Sequence, residues 1–213
     1  MTPDYQAWLW EKLGRRCVEN LKKHDFDAHL ASNRATAKEM ALTMAGGYES
    51  YGLGGSATTR ELGLADALAA AGKTIFDHWN PGKGMTDLEI RLNQGRCDCF
   101  LCSANAISAS GEIVNVDGIG NRNNAMTFGC PKVIIIAGMN KVTADLSSAL
   151  ERVRTIAAPM RAKSLNTKTP CAETGTCNDC NAPQRICRVT TILHRKPMMT
   201  DVSVILINDT MGF

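Results

Sequence analysis

The apolar positions of the first fifty residues recur at helical spacing. Tyr5, Trp8, Leu9, Leu13, Cys17 and Leu21 follow at three- and four-residue steps, which predicts a helix with one core-facing stripe. A second helical stretch, from about Leu30 to Ala45, stops at Gly46-Gly47, so residues 1–47 read as N-terminal helices. From Tyr51 the pattern changes to short strands alternating with short helices. Thr58 with Glu61 and Thr86 with Glu89 each have capping-box spacing, and Gly72 and Gly95 stand where the two helices should end. Lys73 to His78 and Cys97 to Cys102 read as strands. Ala106 to Val116 reads as a hairpin turning at Ser110-Gly111. Lys132 to Ala137 is apolar on both faces, as a buried parallel strand requires. A helix carrying Leu146, Leu150 and Val153 should end before Pro159, and strands at Val189–Leu193 and 202–207 close the chain. Strand–helix alternation of this kind predicts one three-layer α/β domain over residues 1–213 with a mainly parallel sheet.

Two loops carry candidate chemistry. Gly54-Gly55-Ser56-Ala57-Thr58 lies between a strand and a helix, where glycines admit a ligand and backbone N–H groups favour an anion; a plain strand-to-helix turn is the competing account. The stretch from Asn115 to Asn124 puts Asp117, Gly118, Asn121 and Arg122 together. There Asp117 suits a general base, and Arg122 a two-pronged grip on carboxylate or phosphate. A hydrogen-bonded turn explains the same residues without a ligand. His24, His29, His78 and His194 show no ligand spacing.

Cysteine use changes the picture more. Cys171, Cys177, Cys180 and Cys187 fall within the polar segment 168–188, which has almost nothing apolar to bury, so packing does not account for them. Four thiolates there suit one metal site, a structural zinc or an iron–sulfur cluster, with Arg185 offsetting charge. Cys97, Cys99, Cys102 and Cys130 read as core residues, with Cys97 and Cys99 on one face of their strand and Cys102 on the other. Nine cysteines in 213 residues are too few for a disulfide scaffold. With no signal-peptide pattern at the start, a reducing cytoplasm is expected. A net charge of +3 with scattered basic residues argues against nucleic acid, and no apolar run is long enough to span a bilayer.

Leu53-Gly-Gly-Ser-Ala-Thr-Thr-Arg-Glu, Asn105-Ala-Ile, the segment from Gly111 to Arg122, Ala137-Gly-Met-Asn-Lys141 and Lys168-Thr-Pro-Cys, in this order, resemble the short, cysteine-containing branch of the lactate-utilisation (LUD) domain family. The resemblance implies a fold similar to the ribose-5-phosphate isomerase and CoA-transferase-like group. It also implies a pocket in which Gly54, Gly55, Ser56 and Thr58 face Asp117, Gly118, Asn121 and Arg122, with Asn140 and Lys141 ending a neighbouring strand. On the same resemblance Lys141, a catalytic candidate with Asp117 and Arg122, would supply a cation at the pocket mouth. A cytoplasmic protein of small-organic-acid redox metabolism follows, alone or as an oligomer, with iron–sulfur redox partner proteins. A 4Fe–4S cluster on Cys171, Cys177, Cys180 and Cys187 is then favoured over zinc, because the family's partners handle electrons. The rival is a non-redox isomerase, hydrolase or acyl-transferase acting on a phosphorylated or CoA-linked molecule, with Asp117 or Glu61 as acid–base group and a structural zinc.

Overall fold

The computed structural model describes residues 4–82 and 84–213. Six parallel strands form the central sheet: β1 (Asp27–Ala31), β2 (Ser50–Leu53), β3 (Thr74–Asp77), β4 (Cys99–Cys102), β7 (Lys132–Gly138) and β10 (Asp201–Ile207), in the order β1-β10-β7-β4-β2-β3. A second sheet of four short strands holds the hairpin β5 (Ala106–Ser108) and β6 (Ile113–Asp117), with β8 (Val142–Thr143) and β9 (Val189–Leu193) outside it, in the order β8-β5-β6-β9. The central strands are buried on both faces. On one face Tyr51, Leu53, Leu101, Ile134 and Ile205 pack against the helices α2 (Arg34–Met44), α3 (Ala57–Glu61) and α4 (Leu64–Ala70). On the other, Phe100, Val133, Ile135 and Val204 pack against α1 (Tyr5–Lys23), α6 (Asn121–Thr127) and the second sheet. The expected three-layer architecture is therefore present. The four-stranded sheet is an addition that the strand spacing did not reveal.

Several local expectations change. The second predicted helix starts too early: Leu30 belongs to β1, which pairs in parallel with β10, and α2 begins after the Asn33 cap. Local periodicity cannot register a partner strand some 170 residues away. The stripe on α1 is only partly buried, since Tyr5 and Trp8 are 68% and 57% exposed while Gly14, Cys17, Val18 and Leu21 face the core. Ser56, not Thr58, caps α3, because Thr58 is fully buried and Ser56 Oγ accepts from the Thr59 N–H. The Thr86–Glu89 box does form, heading α5 (Asp87–Gln94).

Cys97 precedes its strand and shares a face with Cys102, whereas Cys99 points to the opposite core. All four cysteines of this region, Cys130 included, are buried, as expected of core residues. Pro159 does not end its helix. After α7 (Leu146–Arg152) a π-helical turn at Val153–Ala157 leads into α8 (Ala158–Ser164), and Pro159 falls in the first turn after it. The wider turn has no need of the N–H that proline lacks. The cysteine segment follows, lying as expected before the last strands, but it opens with a short helix, α9 (Pro170–Thr174).

Candidate functional site

The chain leaves β2 to form β3 on one side and returns with β4 on the other. A crevice at the strands' carboxyl ends is the usual outcome of such a reversal. The pocket found there, about 290 Å3, is lined by the residues that follow four parallel strands: Gly55 and Ser56 after β2, His78 and Trp79 after β3, Ser103 to Asn105 after β4, and Lys141 after β7. Asp117, Gly118, Asn121 and Arg122 form the facing wall. Arg91, Arg161, Ile186 and Cys187 complete the rim. The two candidate loops thus meet across one cavity.

Not every candidate plays the expected part. Gly54 sits against Cys102 and Phe100 behind the pocket, and the buried Thr58 is out of its lining. Glu61 is exposed, its carboxylate accepting from the Gly212 N–H. Asn140 turns away, its Oδ1 accepting from the Met211 N–H.

Asp117 and Arg122 are bound to each other. Arg122 Nε and Nη2 donate to Asp117 Oδ1 at 2.9 and 2.6 Å, and Asp117 Oδ2 accepts from the Asn123 N–H at 2.9 Å. Arg122 also donates to Asn105 Oδ1 and to the Val116 and Ser103 carbonyls. A guanidinium has five N–H groups, so one Nη1 hydrogen is left for a ligand and a two-pronged grip is excluded in this arrangement. With both oxygens engaged, Asp117 is a brace for the wall rather than a free base.

Free polarity comes from residues that sequence reasoning passed over. Gln94 is fully buried and its Nε2 donates to the Leu53 and Phe76 carbonyls, while its Oε1 accepts from Asn121 Nδ2. Those carbonyls fix the amide's orientation, so the contact from the same Nε2 at 2.9 Å makes His78 Nδ1 an acceptor. His78 therefore carries its hydrogen on Nε2. Burial, then the charge of Arg91, lowers its pKa and keeps the ring neutral. Arg60 and Arg161 stack on Trp79, their Cζ atoms 4.0 and 4.4 Å from the ring centroid. Arg60 is held by Asp77, whereas Arg161 has no carboxylate partner among the described residues. Burial, reinforced by Arg122 and Arg60, lowers the pKa of Arg161. The only signal for these residues was position: His78 ends a predicted strand and Trp79 directly follows it.

Lys141 is 4% exposed and donates to Thr58 Oγ1 and Ser103 Oγ, each at 3.0 Å. Burial, then Arg152 and Arg122, pulls its pKa down from 10.5 to about 7. Three guanidiniums (Arg91, Arg122 and Arg161), and Lys141 when protonated, therefore line the pocket; Arg122 is paired with Asp117 and Arg91 with Asp87, which leaves Arg161 without a carboxylate among the described residues. Such a cavity selects anions.

The cysteine segment covers one side of it. A Cβ on Gly118 would stand 3.2 Å from the Ile186 carbonyl oxygen, so any larger residue would push the segment back by a few tenths of an ångström. Arg188 N–H donates to the Asp117 carbonyl, and Gln184 Oε1 accepts from the Lys168 N–H, tying the loop to both ends. Arg185 donates to the Cys180 and Cys187 carbonyls and pairs with Asp179. The four thiols are half-buried and free of disulfides. In kind and number they suit zinc or an iron–sulfur cluster. In placement they stand apart, since no three His, Cys, Asp or Glu side chains among the described residues are close enough to share a metal ion.

Comparison with known proteins covers nearly the whole chain. A family model described as the LUD domain matches residues 14–207. The crystal structure of a DUF162 family protein from Deinococcus radiodurans superposes with a TM-score of 0.57, at 12% identity, over 93% of this chain and 98% of that chain. No curated protein matches. No helix among the described residues is long and apolar enough to cross a membrane.

Proposed function

The chain belongs to the LUD domain family, and from that premise we propose that it binds a small organic acid in the cationic pocket and carries an iron–sulfur cluster on the adjoining cysteine loop. The observation that carries this reading is the junction of the two: Cys187 and Ile186 line the same cavity as Lys141, Arg122 and Arg161. The acid's carboxylate binds Arg161, Arg91 and the remaining Nη1 hydrogen of Arg122. His78 Nε2–H donates to a neighbouring hydroxyl or carbonyl oxygen of the ligand. Apolar Val153, Ala157 and Ile186 exclude water from one side. Cys171, Cys177, Cys180 and Cys187 would hold the cluster, whose chemistry is one-electron transfer, and to do so their thiolates would have to come together from their present positions. The reading implies a reducing, cytoplasmic setting and electron-transferring partner proteins.

A cationic pocket accepts phosphate as readily as carboxylate. The competing reading therefore makes the protein a non-redox isomerase, hydrolase or acyl-transferase on a phosphorylated or CoA-linked molecule, with zinc on the cysteines. Anaerobic purification followed by iron, sulfide and zinc analysis and a visible spectrum separates the two. Iron and sulfide with broad visible absorption are expected, and a colourless protein with stoichiometric zinc would sink the cluster. Cys180→Ser should lose the absorption while keeping the fold by circular dichroism; unfolding instead would mark a structural metal.

A further inference from the structure

Lys141 lies at the pocket with two hydroxyl partners and no carboxylate within ion-pair distance among the described residues. Both hydroxyls spend their own hydrogens elsewhere: Thr58 Oγ1 donates to the Met211 carbonyl and Ser103 Oγ to the Ala104 carbonyl, each at 3.4 Å. They therefore accept from Lys141, which uses two of the three directions around its Nζ. The third carries a hydrogen in the ammonium form and a lone pair in the amine form. The titratable groups around this nitrogen are Arg122 of α6, Arg152 of α7, Glu61 of α3 and the Cys102 thiol of β4, which burial keeps neutral. Two nearby guanidiniums and burial outweigh an exposed carboxylate that does not reach it, so the amine form is accessible near neutral pH. A lysine kept only as a cation gains nothing from burial away from carboxylates, whereas a nucleophilic amine requires it.

We propose that Lys141 is the nucleophile of this pocket and condenses with the carbonyl carbon of a 2-oxo acid. The inference rests on the reading of the cavity as an organic-acid site, and it names the class of acid. The Nζ lone pair forms the new C–N bond, and the former carbonyl oxygen leaves as water with two hydrogens, giving a C=N bond to Lys141. Addition of water reverses the step, and no oxidant or reductant is consumed. Arg161 and Arg91 hold the carboxylate, and His78 Nε2–H donates to the departing oxygen.

Incubating the full chain with pyruvate and sodium cyanoborohydride at neutral pH, followed by intact mass and peptide mapping, tests this. One adduct is expected, with the mass of one oxo acid less one oxygen atom. It should form on Lys141 at least about tenfold faster than on any other lysine, because exposed lysines stay protonated. Oxalate, which carries the carboxylates but no ketone, should suppress it, and Lys141→Met should lose it. The map of the unaltered chain locates the adduct, so the test does not depend on how that variant folds. Calorimetric titration with pyruvate runs in parallel. Binding without an adduct on Lys141 overturns the imine and leaves the organic-acid pocket standing. Adducts spread evenly over surface lysines overturn it too. Neither binding nor adduct overturns both readings.

Discussion

The ion pair between Asp117 and Arg122 sets what single residues can do here. The two side chains are 8% and 14% exposed, and their contact holds β6, the following turn and α6 together. Replacing Asp117 by Asn strands a buried guanidinium and should cost about 3–5 kcal/mol, read as a lower urea midpoint. Lys141 gives a pH-dependent counterpart. Folded, it releases its proton at about 7; its ordinary value is 10.5. Between these pH values the unfolded chain binds more protons, so stability rises with pH, by up to about 1.4 kcal/mol per unit. Urea titrations at pH 7 and 8 should show that rise in the native chain relative to Lys141→Met; equal slopes would contradict it. The presence of Lys141, Asp117 and Arg122 at a site was legible in the sequence because each lies at or just beyond the end of a strand. Their division of labour was not, since whether a charge is free or spent depends on neighbours such as Asn105 and Ser103 on a different strand's loop.

Among the elements, the hairpin β5–β6 is the clearest case of a local signal with a non-local role. Ser110-Gly111 marks the turn, and Gly111 has φ +110°. That turn docks on the end of α1, where Asn20 Nδ2 donates to the Ala109 carbonyl and His24 Nδ1 lies 3.0 Å from the Gly111 carbonyl. A Cβ at Gly111 would come within 2.9 Å of the Asn20 carbonyl oxygen. Gly111→Ala combines a strained backbone with this clash, so a loss of about 1–3 kcal/mol is expected, visible as a lower calorimetric midpoint. The sequence also places the cysteine segment correctly before the last strands. It does not show the π turn ahead of Pro159, because that departure depends on how α7 and α8 pack around the pocket wall through Val153 and Ala157.

For the whole molecule, burial is concentrated in β7 and β10, which pair along seven residues and are flanked by strands on both sides. Their amides should be the last to exchange with deuterium, and those of 176–188 among the first, because that segment has little regular structure and many exposed positions. Uniform exchange across the chain would contradict a core so centred. The sequence by itself determined the alternation of strands and helices, the buried character of β7, the two loops that meet at the pocket and the grouping of four thiols in one polar segment. Each is a property of neighbouring residues: apolar run length, glycine in a turn, cysteine without apolar company. Tertiary structure alone decided that β1 is a strand, that Asp117 and Arg122 satisfy one another, that His78, Trp79 and Arg161 join the site, and that Cys187 borders the same cavity as Lys141. These facts depend on pairing, desolvation and charge between segments far apart in the chain, and only the closed sheet brings those segments together.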